Sequence, residues 1–253
     1  MKKLLAASVV VFLMVMPGAA LAKDEVLVQN MADLEKVYIP ALFYTSAQSL
    51  PLSAKSMGIF TAAWQEFRTA YYDYRPDDTN WSAHFDRIEK AVQEAGSIVA
   101  TGQNLVSAHD ALEEVRVVML QLRTHNGFSK FTTDKLTAFH HPMESIVLSV
   151  KGKQPEQIDE TMIAGLRELL DEVLFTWDKV EKCPLDAELW GLTEAQAGNY
   201  YQYLFAEKNA LLNFEAALNA EDKAAIIRTG VALKSNFVNL YTLFGDFARV
   251  TAI

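Results

Sequence analysis

Five histidines, all between residues 84 and 141, are the side chains of this sequence best suited to chemistry: His84, His109, His125, His140 and His141. Three of them stand at helical spacing from a carboxylate. His109 and Glu113 are four residues apart, as are His140 and Glu144, and His141 lies three before Glu144. Both spacings put two side chains on one face of a helix. Imidazole and carboxylate projected from two facing helices can hold a metal inside a bundle. His109, Glu113, His140, His141 and Glu144 therefore form a candidate metal set. Met143 or Met57 would add a soft ligand for copper or haem iron. Pro142 follows the histidine pair in LTAFHHPMESIVL, residues 136–148. It removes an N–H from the helix and leaves the Ala138 carbonyl without its usual donor. A bend there would open the helix toward a ligand.

The same residues have plainer uses. His109, Glu113, Arg116 and Arg123 fall along one line, the pattern of a solvated edge of ion pairs. His140 borders the apolar seam Leu136, Phe139, Met143, Ile146 and Val150, where a hydrogen-bonded boundary histidine is expected. Methionine at seam spacing is ordinarily core. The two tyrosine groups, at 71, 72 and 74 and at 200, 201 and 203, fit bundle ends. The single cysteine, Cys183, reads as a buried thiol at a helix end.

Other chemistries lack their residues. One cysteine permits no internal disulfide, no CxxCH attachment of c-type haem, no CxxC redox pair and no cysteine-rich zinc site. There is no Glu-x-x-His pair of the di-iron bundles. No Gly-rich phosphate loop, nucleophile elbow, HExxH or triad spacing is present either. The expected class is a non-enzymatic binding or helper protein, without a cofactor, that holds a protein partner or a small ligand. The alternative is a metal- or b-type-haem-binding protein built on the histidine, carboxylate and methionine side chains above.

The elements that must position these residues are helices. Glycine and proline number only 11 and 7 in 253 residues. Apolar residues step by three and four along Phe60–Tyr74, Phe85–Val99, Leu105–Leu122, Ile163–Val180 and Ile226–Phe247, as core seams of amphipathic helices do. Pro40 and Pro51 suit first turns, where a missing N–H costs nothing. Thr193 and Gln196 have capping-box spacing. Helices are expected at 39–49, 52–75, 82–100, 104–124, 133–151, 159–182, 193–219 and 221–248. ALEEVRVVMLQLRTHNGF (111–128) and ALKSNFVNLYTLFGDF (232–247) repeat a pattern. The expected fold is all-α, with two tandem up-down four-helix bundles at 39–127 and 133–248 after a lead-in at 23–38.

The hairpins at 82–124 and 193–248 resemble the closing hairpin of the cytochrome c′ and b-type cytochrome bundles. That resemblance implies the bundle fold. Those families place a haem ligand near the end of the last helix; here the ends read VMLQLRTHNG and YTLFGDF, with only His125 nearby. WSAHFDRIEKAV, residues 81–92, resembles imelysin-like periplasmic proteins, which are also built from two helical bundles and carry a HxxE motif. Asp86 and Glu89 occupy the motif positions here, so its histidine is absent. Neither resemblance assigns a family.

The first 22 residues read as an export signal. Lys2 and Lys3 precede the apolar run LLAASVVVFLMVM, and PGAALA supplies small residues at Ala20 and Ala22. The run is shorter than the ~20 residues a membrane-spanning helix needs. Cleavage after Ala22 and a periplasmic location are expected, with no membrane span in the remaining chain. Loss of two lysines would move the net charge from -9 to -11. Acidity of that size disfavours nucleic acid and anionic lipid and suits a basic partner.

Overall fold

The computed structural model describes residues 17–252, with side chains from residue 24. Most of the expected export segment, residues 1–16, lies outside the described residues. The described chain is all-helical, with eight long helices, two short ones and no strand. They are α1 (Pro17–Ser46), α2 (Leu50–Tyr71), α3 (Thr79–Thr101), α4 (Leu105–His125), α5 (Thr132–Val150), α6 (Glu160–Glu181), α7 (Ala187–Trp190), α8 (Glu194–Asn219), α9 (Lys223–Thr242) and α10 (Phe247–Thr251). None of the described helices is long and apolar enough to cross a membrane.

Local chemistry sets most of the boundaries. Asp78, Asn104, Asp159 and Asp222 cap α3, α4, α6 and α9 by accepting from a backbone N–H two or three residues on. Thr193 and Gln196 complete a capping box on α8, as their spacing implies. Pro51 opens α2 as expected. Pro40, by contrast, lies inside α1 rather than at a helix start. The helix expected at 39–49 begins at Pro17. Its seam is Leu27, Met31, Leu34, Tyr38 and Ala41, all buried. The residues read as a lead-in are thus part of the core. Two further differences are short. Helix α9 ends at Thr242, and α10 follows after a turn at Gly245, where an added Cβ would meet Ile39 and Phe247 within 2.8 Å.

Packing follows the seams. Helix α1 lies against α2 and α4, α2 against α3, and α3 against α4. In the second half α5 lies against α6 and α9, and α8 against α6 and α9. The expected seam residues of α3, α5 and α6 are buried without exception. Met57 and Met143 are core residues. Contacts of α4 with α5, of α1 with α7, α9 and α10, and of α2 with α10 join the halves, and one hydrophobic core runs through both.

Candidate ligand-binding cleft

The charged face of α4 meets α1, α5 and α9 where the halves join. Helix α4 is apolar toward its own half through Ala108, Leu112, Val115, Met119 and Leu122. The neighbouring line His109, Glu113, Arg116 and Arg123 turns toward the second half. It is not the solvated edge its composition suggests: Arg116 is 4% exposed and Arg123 1%. Helix α5 contributes His140 and Glu144, α9 contributes Lys234, Phe237 and Tyr241, and α1 contributes Leu42 and Phe43. Between them lies a cavity of about 170 Å³. A wider cleft of about 550 Å³ shares Ser46, His109, Glu113, Arg116, His140 and Lys234 with it.

A chain of hydrogen-bonded polar side chains runs along this cavity and into the wider cleft. His109 donates through Nδ1 to the Leu42 carbonyl at 3.1 Å, and its Nε2 faces Glu113 Oε1 at 3.3 Å. That second contact is attractive only when Nε2 carries a proton. Arg116 Nη2 pairs with Glu113 Oε2 and donates to His140 Nδ1. His140 Nε2 stands 3.8 Å from Glu144 Oε2, and Lys234 Nζ donates to Glu144 Oε1 at 2.7 Å. Burial and then the Arg116 charge push the His140 imidazole down to about 3, so it is neutral with its proton on Nε2. Burial pushes Glu113 upward, but the His109 hydrogen bond and the Arg116 charge outweigh it and bring the carboxyl down to about 2. Glu113 is therefore ionised. Tyr241, 3% exposed, has no hydrogen-bond partner for its hydroxyl, and burial raises its pKa.

Below this wall sits a second buried set. Arg123 Nη1 donates to Glu35 Oε2 at 2.8 Å, and Arg123 Nε donates to both Asp134 oxygens at 3.0 Å. Its guanidinium also lies 4.2 Å from the centre of the Phe131 ring. Burial alone would lower the Arg123 pKa; Asp134 and Glu35 outweigh that and raise it. This set ties α1 and α4 to α5. A void of about 10 Å³ between Leu34, Glu35, Tyr38 and Arg116 has room for one water.

All five metal candidates line the wider cleft, so their spacing pointed to one place. What spacing did not reveal is Arg116 among them. Its guanidinium occupies the His140 lone pair and one Glu113 oxygen that a metal would need. Among the described residues no group of three or more His, Cys, Asp or Glu is placed to hold a metal ion. His141 is exposed at the cleft rim, where its carbonyl accepts from Ser145 Oγ at 3.0 Å. The histidines outside the cleft, His84 and His125, stand at the surface with ring centres 6.3 Å apart. The pair at the HxxE positions is engaged with α2: Glu89 accepts from Trp64 Nε1 at 2.6 Å and Asp86 from Tyr72 Oη at 3.2 Å. Cys183 is half-buried, with Thr132 Oγ1 3.9 Å from its sulfur.

Neither a family model, nor a curated protein, nor a solved structure is similar to this chain.

Lys234 and Phe237 were outside the sequence candidates. Phe237 lay in the α9 seam, and its ring packs at 4.7 Å from the His140 ring. A lysine one position past a core leucine is ordinary in a helix, and only the fold shows that it reaches Glu144.

Proposed function

We propose that this is an exported, periplasmic, non-enzymatic binding protein that holds a small ligand in the seam between two tandem up-down four-helix bundles. The helix contacts fit that arrangement: α1–α4 neighbour one another in a closed order, and α5, α6, α8 and α9 do the same. One observation carries the binding reading. The cavity of about 170 Å³ has apolar walls from α1 and α9 and a polar wall of paired, partly buried charged groups around the buried Arg116. Such a combination of apolar body and few placed polar groups is typical of ligand sites.

Ligand-observed NMR of a fragment library against the protein tests the reading. Val238 lines the cavity, and Val238→Trp should fill it. Binding of compact fragments to the wild type, lost in Val238→Trp, is the expected result. Binding that is absent, or indifferent to the filled cavity, would overturn it. Export is tested by intact mass of the periplasmic protein, which should begin at Lys23; a mass that retains Met1 would reject it.

Metal or b-type haem binding is the second reading, favoured by the convergence of His109, Glu113, His140, His141 and Glu144 on one cleft. Arg116 argues against it. Titration of purified protein with Cu(II), Zn(II), Fe(II) and haem at pH 5.5 and 7.5 decides. Tight binding that weakens at low pH and disappears in both His109→Gln and His140→Gln would establish the second reading over the first.

A further inference from the structure

The polar wall of the cavity is lopsided in what it offers a ligand. Most of its acceptors are engaged. Glu113 Oε1 faces His109 and Oε2 pairs with Arg116. His140 Nδ1 takes the Arg116 proton, and the Leu42 carbonyl takes that of His109. Donors are left over. Lys234 Nζ carries three protons and bonds one oxygen, Glu144 Oε1. Arg116 Nε has no partner, nor does the Tyr241 hydroxyl, and both side chains are more than nine-tenths buried. Unpaired buried groups of this kind are uncommon in folded proteins and call for a partner. The one spare acceptor nearby, Glu144 Oε2, belongs to the wider cleft and not to the cavity wall.

A ligand that completes this wall brings acceptors for Lys234 and Arg116, while the Tyr241 hydroxyl can donate or accept. Arg116 pairs with Glu113 and Lys234 with Glu144, so the charges balance, and what remains unmet is hydrogen-bond donors rather than net charge. This happens in a chain of net charge -9, so the surplus of donors is a local feature and not a general basicity. The facing wall is hydrocarbon, from Leu42, Phe43, Phe237 and Val238. Its volume is close to that of a cavity of about 150 Å³ that accepts benzene.

We propose that the cavity binds a compact organic monocarboxylate, its carboxylate on Lys234 and Arg116 and its hydrocarbon, the size of one aromatic ring, between Phe43 and Phe237. The inference rests on the binding reading above. A cationic amine would instead face the unused donors and bury them further.

Calorimetric titration of the folded protein at pH 7.5 with phenylacetate, 2-phenylethanol, phenethylamine and hexanoate tests it. Phenylacetate should bind at least tenfold more tightly than 2-phenylethanol, and hexanoate should compete with it. In Lys234→Met that preference should fall below threefold; Lys234→Gln repeats the measurement should the first variant fail to fold. Val238→Trp should lose all four. Equal affinity for the alcohol, tighter binding of the amine, or a carboxylate preference that survives both Lys234 variants would overturn the ligand class and leave the binding reading standing. Failure of both carboxylates to bind the folded wild type would overturn the inference, while the fragment screen separately decides the binding reading.

Discussion

Arg123 binds two carboxylates from two other helices in a place that water does not reach. Replacing it by methionine would leave Glu35 and Asp134 buried and uncompensated. Arg123→Met should therefore lose about 3–5 kcal/mol of stability in urea denaturation. Removing all three charges together, in Glu35→Met, Arg123→Met, Asp134→Leu, should recover most of that loss, because the desolvation cost goes with the charges. A triple variant as unstable as the single one would show that packing, not charge, governs the position. Two other buried residues move stability in opposite directions with pH. Glu207 is 0% exposed, and burial raises it to about 8 with only Asn236 pulling downward. The unfolded chain ionises it near pH 4.5, so its contribution is intact below that pH and is lost as pH rises toward 8. Glu207→Gln should leave stability unchanged at pH 4.5 and raise it by about 2–3 kcal/mol at pH 7. His140, held down to about 3, behaves in the reverse sense. Its contribution is present above about pH 6.5 and is lost as pH falls through the range down to 3. The advantage of the wild type over His140→Gln should shrink by about 2 kcal/mol between pH 7.5 and pH 5. Urea titrations at the four pH values check both.

Helix α9 shows what a seam can and cannot say. Gly230 falls in register with Ile226, Leu233, Phe237 and Leu240, and it is buried with them. A Cβ there would stand 2.9 Å from Val150 Cγ2 and 3.1 Å from Phe214 Cε2, so α5 and α8 close on α9 at this point. Gly230→Leu should overpack the contact and cost about 1–3 kcal/mol, read as a lower melting temperature. An unchanged melting temperature would mean that the three helices yield at no cost. The seams of α3, α5, α6 and α9 were legible because each of those helices is apolar on one face and polar on the other. Helix α1 was not. It touches α2 and α4 on one side and α7, α9 and α10 on the other. Its buried residues, Glu35 included, therefore surround it and blur the one-sided stripe that periodicity detects. Proline at 40 strengthened the misreading, since Pro is commonest at helix starts. The cleft was half legible for a related reason. Spacing relates residues on one helix, so it found His109 with Glu113 and His140 with Glu144. It is blind to pairs across helices such as Arg116 with His140 and Lys234 with Glu144.

At the scale of the whole molecule, the halves share one core and a buried ionic set, and they should unfold together. Trp64 and Trp81 report on the first half and Trp177 and Trp190 on the second, all of them buried. Far-ultraviolet circular dichroism and tryptophan fluorescence should give coincident urea transitions, as a single cooperative unit requires. Two separated transitions would show the halves to be independent. The position of α1 bears on how the chain reaches that state. Lys36 in α1 receives at its carbonyl the backbone N–H of Asp246, at 2.8 Å, across 210 positions of sequence. Synthesis delivers α1 first and its last partners at the very end. Contacts between distant parts of a chain form slowly, because a long loop must close before they reward the closure. A nascent chain can pack α2 and α4 on α1 early, but it leaves the side of α1 that meets α7, α9 and α10 uncovered until those helices emerge. Were the proposed export to take the chain unfolded through a narrow translocation channel, that delay would be an asset: the order of the helices would keep the chain threadable for as long as it is incomplete.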